Sequence, residues 1–176
     1  MRNGLNGFFI NGYWCEDKEL VKDKVRELFK IRFESGDCPQ VKLDNVPFNF
    51  VFDADNEMLV KPFFEEEIKL AIWSCDSSKS LGPDGFNFGF IKFCWDFLKD
   101  DILLAVNGFA RFDTWPRGTN TSFVCFVPKS KNPQQLSDFR PISLVGCLYK
   151  IIMKMLSLRL KKVISKVIDP RQSDFL

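Results

Sequence analysis

Lys129, Lys131 and Arg140 lie close together in the stretch from Ser122 to Leu144, SFVCFVPKSKNPQQLSDFRPISL, and their types and spacing point to chemistry. Lysine supplies a compact point charge and arginine a planar fork of donors, a combination that suits phosphate oxygens. The same charges also read as the solvated turn of an ordinary β-hairpin. A second stretch, Ser80-Leu81-Gly82-Pro83-Asp84-Gly85-Phe86, has Pro83 and Gly85 bracketing a tight turn, with Asp84 placed to cap a helix expected over residues 86–98. A third is the basic run Lys150, Lys154, Arg159, Lys161, Lys162 and Lys166.

Composition narrows the chemistry further. The 176 residues are 45% hydrophobic and 27% charged, as in a globular chain long enough to bury a core. The net charge of +2 hides an asymmetry: residues 140–176 hold eight Lys/Arg against two acids, leaving 17 against 21 for the rest. A basic C-terminal part suits a polyanion. Histidine is absent, which excludes Ser-His or Cys-His nucleophile pairs and leaves carboxylates, lysine or thiols. The six cysteines form no C-x-x-C pair, so zinc is not expected, and Cys125 and Cys147 read as small core residues of a reducing compartment. The start carries only Phe8-Phe9-Ile10 as an apolar patch, too short for a signal or membrane span, so an intracellular place, nucleus or cytoplasm, is expected.

The elements that must position these residues follow from periodicity. Phe123 to Val127 is an aromatic and β-branched run that predicts a buried strand. Arg140, preceding Pro141, is biased to extended backbone, which makes Phe139 to Leu144 its partner in a two-stranded ribbon. Residues 1–15 carry Gly4, Gly7 and Gly12 without a period and read as a loose leader. A helix is expected from Glu16 to Glu34, closed by Ser35-Gly36, and then a long connector to residue 61. Asp53-Ala54-Asp55-Asn56-Glu57 in that connector fails as a calcium loop, because Met58 replaces the required glycine, and reads as a solvated acidic loop. Pro62 opens the next helix, running to about Cys75 with Phe64, Ile68, Ala71 and Ile72 inward. Two helices, 86–98 and 100–112, follow, the second with Ile102, Leu103, Val106 and Phe109 inward. The last is a long helix after Leu144, with Leu148, Ile152, Leu156, Leu160, Val163 and Val167 on one face and Asp169-Pro170 as its stop. The class is α+β, mostly helical.

The order of the pieces carries more than any one of them. Leu81-Gly82-Pro83-Asp84-Gly85-Phe86, Phe126-Val127-Pro128-Lys129 with Asn132-Pro133, Phe139-Arg140-Pro141-Ile142-Ser143-Leu144, Tyr149-Lys150-Ile151-Ile152 with Arg159-Leu160, and Gln172 before Phe175 together resemble the first part of the reverse transcriptase of non-LTR (LINE-type) retrotransposons. The likeness covers residues 62–176. Residues 1–61, a helix and an irregular linker, resemble the less distinctive segment before the polymerase. The resemblance implies a partial right-hand polymerase fold, fingers and the start of the palm. It implies that Lys129 and Arg140 hold the triphosphate of the incoming deoxynucleotide, and that Gly82, Asp84, Gly85, Lys154, Lys161 and Lys162 lie near an RNA template paired with a DNA primer.

The resemblance also implies a missing half. Nucleotidyl transfer in the family uses two magnesium ions about 4 Å apart, held by carboxylates from separate palm strands. Neither of the family's aspartate motifs occurs in these residues. The expectation is a truncated RNA-directed DNA polymerase that needs Mg2+ when intact, holds none by itself and is inactive alone. The alternative is a non-enzymatic module, derived from the fold, that binds nucleic acid or protein without a membrane role.

Overall fold

Asn11 and Gly12 both take positive φ, 52° and 86°, the condition for a two-residue type I′ turn between twisted strands. They join β1 (Phe8–Ile10) to β2 (Tyr13–Cys15), paired antiparallel with Phe9 opposite Trp14. The expected loose leader is therefore a hairpin over these residues. Its signal, Asn-Gly between short apolar runs, is local and strong. The computed structural model describes residues 7–34, 49–112, 114–115 and 117–168. Positions 36–48 of the expected connector, its Ser35-Gly36 boundary and the Asp169-Pro170 stop lie outside them.

The chain divides into two compact units, Met1–Asn45 with Val124–Ser143, and Val46–Phe123 with Leu144–Leu176. In the first, Asp17 caps α1 (Lys18–Phe33), its carboxylate accepting from the N–H groups of Glu19 and Leu20 at 3.0 and 2.9 Å. The ribbon is present as β3 (Ser122–Pro128) paired with β4 (Phe139–Val145). It is not buried as expected: Phe123 and Val124 are 58% and 41% exposed. Two strands alone cannot cover both of their faces. Within the unit, Phe126 packs between Phe29 and Phe139, with ring centroids 6.3 and 6.4 Å away. The N–H of Phe9 donates to the Gln134 carbonyl at 2.8 Å, tying the hairpin to the loop between β3 and β4.

The second unit is helical: α2 (Asp53–Val60), α3 (Glu65–Trp73), α4 (Phe88–Phe93), α5 (Trp95–Phe112) and α6 (Cys147–Val167). Its core joins Phe63, Ile68, Ile72, Trp95, Val106, Ile151 and Ile152. Ile102, Leu103 and Phe109 pack against that core as their spacing predicts. Three boundaries differ from expectation. The acidic run at residues 53–57 opens α2, and Asp55 pairs with Lys166 at 2.7 Å instead of being solvated. The split expected after Leu98 falls at Cys94, because Lys99-Asp100-Asp101 contains no helix breaker and α5 runs through it. The helix expected from Pro62 starts at Glu65, and Phe63 is buried in place of Phe64. Here the side chain of Asn107 holds the Phe63 backbone extended, accepting its N–H at 2.9 Å and donating to its carbonyl at 3.0 Å.

Arg159 accounts for the largest departure. The apolar face expected on α6 is rotated: Ile151, Ile152, Met155, Arg159 and Val163 are buried, while Leu160 is 51% exposed. A guanidinium has five N–H donors, and all are engaged. Nε and Nη2 fork onto the two carboxylate oxygens of Glu67 at 3.2 and 2.7 Å. Nη1 donates to the carbonyls of Leu59, at 3.1 Å, and Lys61, and Nη2 to that of Pro62 at 3.0 Å. The cation lies over the Phe63 ring, 3.7 Å from its centroid. Its burial is therefore tolerated because no donor is left without a partner.

The Arg159 fork holds the Glu67 carboxyl below its ordinary value of 4.5, outweighing the opposing effect of burial. Arg159→Ala is expected to lower stability by about 3 kcal/mol in urea denaturation, and Arg159→Lys to recover only part, since an ammonium cannot fork. Because the Glu67 pKa is depressed on folding, its contribution is present above pH 4.5 and is lost as pH falls through the lowered value. Glu67→Gln is therefore expected to flatten the acid limb of a thermal-stability profile. An unchanged limb would contradict the assignment.

Candidate functional site

In the first unit, the last turns of α1 and the ribbon enclose a cleft of about 580 Å³. Lys129 and Arg140 both line it, and both are exposed. The loop between them is held by Asp138, whose carboxylate accepts from the N–H groups of Gln134 and Gln135, both at 2.9 Å. These two bonds, with the nearby Lys129 charge adding to them, hold the Asp138 carboxyl below its ordinary range. The N–H of Lys129 donates to the Asp138 carbonyl at 2.8 Å and its Nζ to the Ser137 carbonyl at 2.7 Å. One of the three ammonium donors thus fixes the side chain, and two remain for a ligand. Lys131 is exposed and does not line the cleft.

Arg32, from the last turn of α1, lines the same cleft and was not singled out from the sequence. The available signal was weak, because a basic residue in a last helical turn is already explained by the helix dipole. Apolar side chains, among them Phe29, Phe126 and Phe139, make up much of the remaining wall. Among the described residues no carboxylate belongs to the lining.

In the second unit, the turn from Gly82 to Gly85 closes with the Gly85 N–H donating to the Gly82 carbonyl at 3.1 Å, Gly85 taking φ 74°. A Cβ on Gly82 would come within 2.3 Å of the Val145 carbonyl oxygen, and one on Gly146 within 2.7 Å of Asp84 Oδ2. The turn is therefore pressed against the start of α6. Asp84 was expected to cap the helix that follows it, but Asn87 caps α4 by accepting the Phe90 N–H at 2.9 Å. Asp84 Oδ2 accepts instead from the N–H of Cys147 in the first turn of α6, where a negative charge is favoured. Gly82 and Asp84 have a structural explanation in this contact.

Beside the turn lies a cleft of about 540 Å³ lined by Asp84, Phe86, Phe90, Arg117 and Cys147 among others. Phe86 and Phe90 stack with centroids 4.8 Å apart and planes 15° from parallel, and both keep over 40% exposure. Along α6, Lys150, Lys154 and Lys161 fall on one stripe by helical spacing, Lys154 half-buried and Lys161 exposed. Lys162 is exposed on another face, close enough to Glu67 to help lower its pKa. Arg159 and Lys166 are bound to Glu67 and Asp55, which reduces the free charge the sequence implied. Among the described residues no group of three or more Cys, Asp or Glu could hold a metal ion, and no helix is long and apolar enough to cross a membrane.

Cys147 is buried as expected, whereas Cys125 is half-buried. Burial, with the Asp84 charge adding to it, pushes the Cys147 thiol up to about 11. It is protonated and unreactive near neutral pH. Asp84→Ala is expected to cost about 1 kcal/mol of stability and to make Cys147 open to alkylation at about pH 8, read by mass spectrometry. A Cys147 that stays protected in the variant would show that Asp84 does not hold this junction.

No family model matches the chain. Over 170 residues it is 30% identical to the Transposon TX1 uncharacterized 149 kDa protein of Xenopus laevis. The match covers 94% of this chain and 13% of that protein. The similarity links the chain to transposons.

Proposed function

We propose that this chain is the nucleotide- and template-contacting part of a transposon-encoded RNA-directed DNA polymerase. One observation carries the reading: Lys129 and Arg140, on either side of the loop between β3 and β4 and matched to triphosphate-holding positions by resemblance, line a single cleft whose described wall holds no carboxylate. Lys129, held on the Ser137 carbonyl, is a point donor already in place, and Arg140 adds a planar fork. Asp138 acts as a positioning residue for Lys129 through the loop it closes.

In the second unit the stacked Phe86 and Phe90 offer a surface for an unpaired template base. Pro83 and Asp84 bring the turn between Gly82 and Gly85 to that cleft's wall, and Lys154, Lys161 and Lys162 supply phosphate contacts. Bond-making by two magnesium ions needs converging carboxylates, which the described residues do not offer. The role assigned to them is binding.

Fluorescence anisotropy with a labelled deoxynucleoside triphosphate tests the reading. Lys129→Ala and Arg140→Ala are each expected to weaken binding by about tenfold or more, the effect of losing a hydrogen bond to a charged group. Single-stranded RNA binding should weaken with salt, and Lys161→Ala should reduce the slope by about 0.7. Variants that bind as the unmodified chain does, or an RNA affinity indifferent to salt, would overturn it.

A further inference from the structure

Three of the cations of α1 are paired with acids on their own helix. Lys22 pairs with Glu19 at 2.6 Å, Lys24 with Glu27 at 2.6 Å and Arg26 with Asp23 at 2.9 Å. Arg32 has no carboxylate partner among the described residues, and it lines the cleft that Lys129 and Arg140 line. Three cations therefore border one cleft, and among the described residues no acid belongs to its wall, a charge balance that favours an anion there.

The rest of the wall selects the kind of anion. Leu28, Phe29, Phe126, Leu136, Phe139 and Pro141 present apolar and aromatic surface beside the charges. A bare phosphate chain leaves that surface wet, and an apolar peptide leaves the cations unmatched. A nucleoside triphosphate satisfies both, its phosphates on the cations and its base on the apolar wall. The cleft's size of about 580 Å³ falls in the range of small-ligand sites.

We propose that Arg32 is a third triphosphate-binding residue, so that α1, outside the stretch that resembles a polymerase, completes the nucleotide site. The proposal rests on the reading of the Lys129 and Arg140 cleft given above. Arg32 contributes a fork to oxygens that Arg140 and Lys129 leave free, and α1 is seated for this by Phe29 against Phe126.

The test uses the whole chain and the labelled deoxynucleoside triphosphate, with circular dichroism checking that each variant keeps its helices. Arg32→Ala is expected to weaken binding about tenfold, with Arg32→Lys intermediate. Arg26→Ala, which removes a cation already paired on α1, should leave binding unchanged. Unlabelled nucleoside triphosphate should displace the label at lower concentration than inorganic tripolyphosphate does. Should Arg32→Ala bind normally while Arg140→Ala loses binding, the role of Arg32 is overturned and the two-residue site stands. Should the unmodified chain bind no nucleotide, both fall. Displacement by a short RNA at lower concentration than by the nucleotide would reassign the cleft to a nucleic-acid backbone and overturn the proposal. If Arg32→Ala loses helicity, Arg32→Gln, which keeps the stem and drops the charge, takes its place with the same expected loss.

Discussion

A guanidinium can enter a protein interior only when its charge and its donors are met there, and the second unit is arranged around one such case. Arg159 meets Glu67 on α3, three carbonyls between α2 and α3, and the face of Phe63. These partners explain why residues 61–64 are extended, why α3 starts at Glu65 and why the buried face of α6 is turned towards Arg159. Lys166 with Asp55 extends the same neutralisation further along α6. A polar residue thus sets the register of a helix whose apolar residues alone would allow another.

The same sorting of cations separates structure from site. Arg159, Lys166, Lys92, Lys22, Lys24 and Arg26 are engaged by carboxylates or carbonyls of this chain. Arg32 and Arg140 are bound to no carboxylate among the described residues, and Lys129 is steadied by a carbonyl that leaves its charge intact. A count of basic residues does not distinguish these groups. Their partners do so in part, and their place does the rest, because Arg32, Lys129 and Arg140 share one cleft.

Much of the fold was legible where the cause is local. The periodicity of α1 and α6, the aromatic run of β3 and the restriction that Pro141 places on Arg140 all led to the right element types. Asn11-Gly12 is an equally local signal, masked by strands of only three residues that are too short to show a period. What the chain order hid was non-local: Asp84 caps α6 across 63 positions, and Arg159 reaches Glu67 across 92. The ribbon that carries Lys129 and Arg140 was legible from residue types, but neither the absence of Lys131 from the cleft nor the presence of Arg32 in it was. A cation in a last helical turn looks ordinary until its neighbours are known.

The similarity to a transposon protein links the chain to transposons and says nothing of what it binds. The central claim is narrower, that the chain's own cations make a nucleotide cleft in the first unit. Amide chemical-shift mapping during titration with a deoxynucleoside triphosphate tests it most directly. The account predicts shifts over residues 28–32, 126–129 and 136–141, with α3 and α6 unmoved. Shifts confined to α6, or none at saturating nucleotide, would contradict it.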